Sequence, residues 1–500
     1  MKRITMMPLF LALFWVTSTC IGQINNGNKL PEEVKWMYDE AQWGISHHYL
    51  AGGELDKAYF DIRSFEEWDY YIANFDVNAY ANLVKKLGVG YVIFTITQNR
   101  GYLATTSKVY DFNSPPCPVN IPGCENQEGV LRADYTPNRD LLTHLAKALT
   151  KKGIKVIAYL PSHVGDRWTG QQISPPKYPD WWINDFIGEL SNKWGDTVAG
   201  WWFDGYWNIS KDEQGNDYPI ATKIWNAVRR GNPNAIIALN TGLGSEVFTS
   251  PDKYSQYSAG ESNELPPLPT TRSSKGKGEK FVQYVGWSFL SEQDPVFAGW
   301  GEVDRNLRFK DIEVAKHTVK ARENGGVSTW DVAINPSGNW PLAKMKQVQV
   351  IGKTMNTTTD TTYSSLQLVN NANKEIIYTG NWQYSEDRKT GAFEQDVHYT
   401  ENNGDSFSYS FTGTSIVFAT SKARDQGNIE LFLDNKSLGI FSTYDKYKRQ
   451  VQEIIYENHH LMPGRHTLKG VKKSGKYMWE MCWELKTKTK TYEIFNFNNI

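Results

Sequence analysis

An α/β domain built as a (β/α)8 barrel of the TIM type, followed by an all-β sandwich, is the architecture this sequence predicts. Two patterns predict it. From residue 40 to about 345, short apolar runs alternate with amphipathic helical stretches; after about residue 350 the runs become short segments of strand-like, period-two alternation. At 500 residues the chain is also too long for one ordinary core.

The first strand reads Trp43-Gly-Ile-Ser-His-His48. Helical spacing runs from Val77 to Leu87, Gly88 stops it, and the buried strand Tyr91-Val-Ile-Phe-Thr-Ile96 follows. The unit repeats as helix Arg139 to Lys152, stop at Gly153 and strand Ile154 to Leu160, then as helix Trp181 to Trp194 and strand Val198 to Phe203. Helix Ala221 to Arg230 leads to strand Ala235 to Leu239, and Phe281 to Trp287 reads as a further strand after a Pro- and Gly-rich loop. Helix Asp311 to Glu323 leads into the last strand, Gly326 to Ile334. Near-continuous apolar strands alternating with helices mean a parallel sheet covered by helices. The first βα turn lacks the Gly-rich phosphate fingerprint of a doubly wound sheet, and seven or eight strands in about 300 residues fit a barrel.

Barrel enzymes carry their chemistry at the C-terminal ends of the strands. Those ends here read His47-His48, Thr97-Gln98-Asn99, Ser162-His163, Asp204 and Asn240, so polar residues recur where an active site belongs. The expected organisation is a barrel over 23–350, a Thr- and Ser-rich linker over 351–368 and a sandwich over 369–500. The last contains Ser406 to Phe411, Ser415 to Ala419, Ile429 to Leu433 and a closing strand Trp479 to Leu485.

Lys2 and Arg3 precede the apolar stretch Met6 to Val16, and small and polar residues follow to Gly22. This is the pattern of a signal peptide over 1–22 and not of a membrane span, so the protein is expected to be exported, to the periplasm or beyond. Cleavage after Gly22 is favoured over lipidation at Cys20, because Thr17-Ser18-Thr19 makes a poor lipobox. Cys117 and Cys124 bracket a short loop that an oxidising compartment could close; Cys482 stands alone. No cysteine or histidine spacing matches a metal motif, so neither catalytic metal nor cofactor is expected. With 54 Lys+Arg against 55 Asp+Glu there is no field to recruit nucleic acid. The 19 Trp and 27 Tyr fit a protein that stacks sugar rings, and equally one with aromatic cores.

A glycosidase needs two carboxyl groups across the scissile bond. Asp204 is the first candidate: it ends the strand Trp201-Trp-Phe-Asp-Gly-Tyr-Trp207, Gly205 lets the chain turn, and aromatics on both sides can form a pocket. A plain loop cap is the competing reading of the same residue. The 40–345 region resembles the α-L-fucosidase family of retaining glycoside hydrolases. Lys35-Trp36 to Gly44-Ile-Ser-His-His48 is similar to its opening strand, and Trp202-Phe-Asp-Gly205 is similar to its nucleophile motif. Phe75-Asp76 to Thr95, Asn138 to Tyr159, Gly299-Trp300-Gly301 and Asn324-Gly325-Gly326 to Asn335-Pro336 resemble further segments in matching order. The resemblance implies a retaining exo-glycosidase acting on glycans with terminal α-L-fucosyl or related sugars, with Asp204 as nucleophile and His48 in place of the sugar-binding histidine.

Two departures stand out. The family's histidine pair after the second strand is replaced by Gln98-Asn99, which still hydrogen-bond hydroxyls but with a different donor pattern, and which leave another sugar such as α-L-galactose open. The acid/base is not fixed by the motif. Glu292, shortly before Gly299-Trp300, is the first candidate, Glu261 in a substrate loop the second, and Glu264 and Glu302 are weaker. His163, Trp202, Trp287 and Trp300 complete the expected substrate contacts, although Trp287 and Trp300 could equally seal the barrel. Gly404 to Ile416 and Gly464 to Leu468 resemble jelly-roll modules appended to glycosidases, which brace the barrel or bind sugar. Outside the enzyme class, a non-catalytic glycan-binding protein on a degenerate barrel is the alternative.

Overall fold

The structure is a computed structural model and describes residues 30–52, 60–62, 64–98, 101–113, 136–161, 181–205, 219–243, 248–249, 252–275, 281–293, 299–356, 366–386, 392–480 and 482–486. Seven parallel strands form one curled sheet: β1 Trp43–His47, β2 Tyr91–Thr95, β3 Lys155–Pro161, β4 Gly200–Asp204, β5 Ile236–Leu239, β6 Val285–Phe289 and β7 Val327–Asp331, in the order β6-β7-β1-β2-β3-β4-β5. The open side between β5 and β6 is filled by residues 255–262. Gln256 N–H donates to Ile237 O at 3.0 Å, Gln283 N–H to Gln256 O at 2.9 Å, Trp287 N–H to Gly260 O at 2.8 Å and Ser262 N–H to Trp287 O at 2.9 Å. Tyr257 and Glu261 thereby bridge Gln283 and Trp287 in parallel sense, and the segment serves as an eighth stave that closes the barrel.

Helices cover the outside. α1 Phe65–Asn74 is capped by Ser64, α2 Val77–Lys86 by Asp76 and α3 Leu141–Thr150 by Asp140, each side chain accepting from backbone N–H groups of the first turn. α4 Gly188–Trp194, α5 Pro219–Val228, α6 Asp311–Glu323 and α7 Leu342–Asn356 continue the ring. Strand pleat sorts the side chains into two cores. Ile45, Val92, Phe94, Val156, Ala158, Trp201, Phe203, Ile237 and Trp330 face the helices. Tyr91, Ile93, Ile157, Tyr159, Trp202, Ile236, Tyr257, Trp287 and Val327 fill the interior, which Val34, Met37 and Ala41 also enter from the N-terminal segment. The inward position of Gly44 takes only a glycine, because the Tyr91 ring lies against the place where a Cβ would stand.

Beyond Leu366 the strands are antiparallel. One sheet pairs Leu366–Asn370, Cys482–Lys486, Ser415–Lys422 and Gln450–Asn458; a second pairs Ile376–Thr379, Ser406–Gly413, Gly464–Lys472, Asn428–Leu433 and Lys436–Ser442. Val369, Ile416 and Phe418 of the first meet Phe407, Phe411, Ile429 and Leu468 of the second in a shared core, which makes a sandwich.

The sandwich grips the chain just after β7. Asn335 pairs with Val451 as a strand would, its Nδ2 donating to Val451 O at 2.9 Å and its Oδ1 accepting from Val451 N–H at 3.0 Å. The buried Glu453 accepts from Asn335 Nδ2 at 2.7 Å and Asn339 Nδ2 at 2.8 Å. Tyr71 of α1 donates to Asp445 at 2.9 Å on the same side. Asn335→Ala is therefore expected to lower stability by about 2–4 kcal/mol, because it leaves both Val451 backbone groups and a buried carboxyl short of partners. Denaturant melts of the two proteins check this, and equal midpoints would show that the joint contributes nothing.

Candidate active site

The polar residues of the barrel mouth are the inward positions one step above the aromatic interior. β1 turns Gly44, Ser46 and then His48 inward; β4 turns Gly200, Trp202 and Asp204; the eighth stave turns Tyr257, Ala259 and Glu261; β7 turns Val327, Thr329 and Asp331. Asn240, one residue past β5, joins them. Period-two geometry thus assembles His48, Asp204, Asn240, Glu261 and Asp331 at the C-terminal face.

Asn240 ties the two carboxylates together. Its Nδ2 donates to Asp204 Oδ1 at 2.9 Å and to Glu261 Oε2 at 2.5 Å. A shared donor with contacts of 2.9 and 2.5 Å keeps those two oxygens no farther apart than about 5.4 Å, short of the roughly 6.5–9.5 Å that separates the carboxyls of inverting glycosidases. Asp204 Oδ2 accepts from the Tyr159 hydroxyl at 2.7 Å, and the same hydroxyl lies 2.8 Å from Gln98 Oε1. A hydroxyl has one proton to give, so both contacts hold only if Gln98 turns its NH2 toward the Tyr159 oxygen. Burial, and then the like charge of Asp204, push the Glu261 carboxyl up to about 7, against the Asn240 hydrogen bond and His48. A carboxyl at that value keeps a proton to give near neutrality.

The second charged pair is His48 and Asp331. His48 Nδ1 lies 2.8 Å from Asp331 Oδ1, which also accepts from Ser46 Oγ at 2.9 Å, while Asp331 Oδ2 accepts from Gly301 N–H at 2.7 Å. Burial alone would lower His48, but Asp331, with Asp204 and Glu261, outweighs it and raises the imidazole above its usual value. Burial likewise works against the Asp331 carboxylate, and His48, Gly301 and Ser46 hold it below the ordinary range. The neighbouring His47 is the opposite case. Its Nδ1 must donate to Val332 O at 2.6 Å, so Nε2 accepts from the Tyr80 hydroxyl at 2.5 Å, and burial lowers it to about 4. His47 is a neutral structural residue; His48 faces the mouth.

Aromatic rings wall the site. Trp202 stacks on Tyr159 with centroids 5.1 Å apart, Trp287 stacks on His48 at 5.8 Å, and Trp300 lies tilted 5.3 Å from His48. Trp202 and Trp287 are sealed in the barrel, whereas Trp300 keeps 8 % of its surface exposed at the rim. Glu292 is exposed outside this group, its N–H bonded to Asn306 O at 2.8 Å. Glu264 is exposed and pairs with Arg308 at 2.7 Å; Glu302 is buried with Arg305 4.0 Å away. Glu261, expected in a substrate loop, instead ends a barrel stave. Asn99, His163, Cys20, Cys117 and Cys124 lie outside the described residues. Tyr159 and Asp331 were not among the expected site residues. Each would have emerged from projecting the inward parity of its strand to the C-terminal end.

Among the described residues, no group of three or more His, Cys, Asp and Glu is placed to hold a metal ion, and no helix is long and apolar enough to cross a membrane. The pairing of the two carboxyls makes a direct prediction. In Asp204→Asn, Glu261 is expected to titrate on the order of one unit below its wild-type value, since the like charge is gone. Carboxyl carbon NMR reads this, and an unmoved titration would mean that the two groups share no field.

Comparison with known proteins adds the family. A family profile described as Alpha-L-fucosidase matches residues 34–360. No curated protein matches the chain. Similar solved structures include alpha-L-fucosidase isoenzyme 1 from Paenibacillus thiaminolyticus, 16% identical over 89% of this chain and 99% of its own, with a TM-score of 0.47. An alpha-L-fucosidase from Vibrio sp. strain EJY3 is 13% identical over 92% of this chain and 98% of its own, with a TM-score of 0.43. An alpha-L-fucosidase from Lactobacillus casei, in complex with alpha-L-fucose product, is 18% identical over 65% of this chain and 99% of its own, with a TM-score of 0.41.

Proposed function

This chain belongs to the alpha-L-fucosidase family, and we propose that it is a retaining exo-glycosidase that releases terminal α-L-fucosyl or closely related residues from glycans. The observation that carries the reading is the Asn240 amide held between Asp204 and Glu261. Asp204 attacks the anomeric carbon as the bond to the leaving oxygen breaks, and Glu261 gives that oxygen its proton. Glu261, now ionised, takes a proton from water, which attacks the same carbon and frees Asp204. Asn240 steadies the charge on whichever carboxyl is ionised, and the Tyr159 hydroxyl holds Asp204 in line.

Geometry favours Glu261 over Glu292 as the acid/base, which reverses the order in which the sequence suggested them. His48, held by Asp331, supplies a charged donor for a sugar hydroxyl, and Gln98 supplies an amide beside it. Trp300 offers a ring face at the rim. The basic and apolar N-terminal stretch supports export, the setting in which an enzyme of this kind meets extracellular glycans.

Hydrolysis of aryl α-L-fucoside and aryl α-L-galactoside by wild type and three variants tests this. Asp204→Ala is expected to lose about a thousandfold or more in kcat, and Glu261→Gln to lose about a hundredfold or more on a substrate with a poor leaving group, while Glu292→Gln stays near wild type. The faster of the two aryl glycosides identifies the sugar. Activity intact in Glu261→Gln and lost in Glu292→Gln would overturn the assignment. Because the acid works only while protonated, kcat/KM is also expected to fall as pH rises through about 7, the value to which Glu261 is raised. A profile flat from pH 6 to about 9 would contradict that role.

A further inference from the structure

The loop after Asp331 is tied to the sugar pocket at both ends and to the sandwich between them. At its start Asp331 holds His48 and the Gly301 N–H. Asn335 and Asn339 then bind Val451 and Glu453. At its end Leu342 packs with Val417, Ala419 and Trp479, and Ala343 N–H donates to Gln452 Oε1 at 3.1 Å. The next residue, Lys344, turns toward the chain that follows β6 and is only 2 % exposed. Its ammonium donates to Ser291 Oγ at 2.7 Å and to the Glu302 carbonyl. Ser291 Oγ donates to the same carbonyl at 2.7 Å. Between Ser291 and Glu302 the chain carries Trp300, which stands against His48, and Gly301, which clamps Asp331.

A buried ammonium is a costly way to fill space. Burial pulls Lys344 down to about 7 even with Asp304, Glu302 and Asp331 drawing it the other way. A methionine of similar length would fill the volume without that penalty, so packing alone gives no reason for a lysine here.

Resting on the fucosidase reading, we propose that Lys344 is a positioning residue for the sugar pocket. It fixes the two ends of the Ser291–Glu302 loop, so that Trp300 stays against His48 and Gly301 stays on Asp331. Because the sandwich holds the residues on its N-terminal side, Lys344 also carries the sandwich's grip into the pocket wall. The sandwich is then part of the machinery that shapes the site.

The test uses the full chain as wild type, Lys344→Met and Ser291→Ala. Each is assayed on aryl α-L-fucoside, and amide exchange is followed over residues 299–302. KM is expected to rise about tenfold in Lys344→Met and about threefold in Ser291→Ala with kcat within about twofold, since a loosened wall weakens ground and transition states alike. Exchange at 299–302 is expected to quicken about tenfold in Lys344→Met. A fall in kcat at unchanged KM is what lost folded enzyme produces, and it overturns the proposal, as does unchanged exchange. If Lys344→Met does not fold, Ser291→Ala decides alone, and unchanged KM with unchanged exchange overturns the proposal. If wild type hydrolyses neither aryl α-L-fucoside nor aryl α-L-galactoside, the functional reading fails and amide exchange by itself decides the role of Lys344.

Discussion

A closed parallel barrel leaves each strand one choice per residue, inward or outward, and the site depends on that constraint. The inward rings of Tyr91, Tyr159, Trp202, Tyr257 and Trp287 fill the lower barrel; the last inward position on four staves is His48, Asp204, Glu261 or Asp331. The charged layer therefore sits on a floor made of Tyr159, Trp202 and Trp287, which keeps water from solvating it from below. That floor is why Glu261 holds its proton near neutrality and why His48 and Asp331 need each other. A one-residue slip in any of these staves would turn its polar residue toward the helices and remove it from the site.

Opposite electrostatic outcomes come from residues a few ångströms apart. His47 and His48 are consecutive, yet one points outward among the rings of Tyr80, Phe94 and Trp340, and the other inward onto a carboxylate. Asp204 and Glu261 sit in different surroundings: Asp204 accepts from both Tyr159 and Asn240, while burial and the Asp204 charge push Glu261 up. In the proposed mechanism environment, not residue type, divides the roles of nucleophile and acid.

Much of this was legible in the sequence, and the rest was hidden for definite reasons. The strand–helix alternation was readable because its strands are runs of apolar residues, and Asp204 stood out because it ends the most aromatic of them. The eighth stave was not readable, since Ser255-Gln-Tyr-Ser-Ala-Gly-Glu261 has no apolar run. Its outward Ser258 and Gln256 spend their side chains on backbone groups of β6 and β5, with Ser258 Oγ donating to Val285 O at 3.0 Å and Gln256 Oε1 accepting from Ile237 N–H at 2.8 Å. Glu261 therefore looked like a loop residue and ranked behind Glu292, whose nearness to Trp300 in sequence does not bring it to Asp204. The pairings of Asp331 with His48 and of Lys344 with Ser291 were not readable, because the partners lie far apart in the chain.

The central claim is that Asp204 and Glu261 act from opposite sides of one glycosidic bond at retaining distance. Proton NMR of the sugar as it is first released reads this directly. Two successive displacements at one carbon must give the α-anomer of the sugar before mutarotation scrambles it. First appearance of the β-anomer would contradict the account, because single displacement calls for carboxyls roughly 6.5–9.5 Å apart with a water between them, and the Asn240 amide bonded to both Asp204 and Glu261 draws one oxygen of each closer than that.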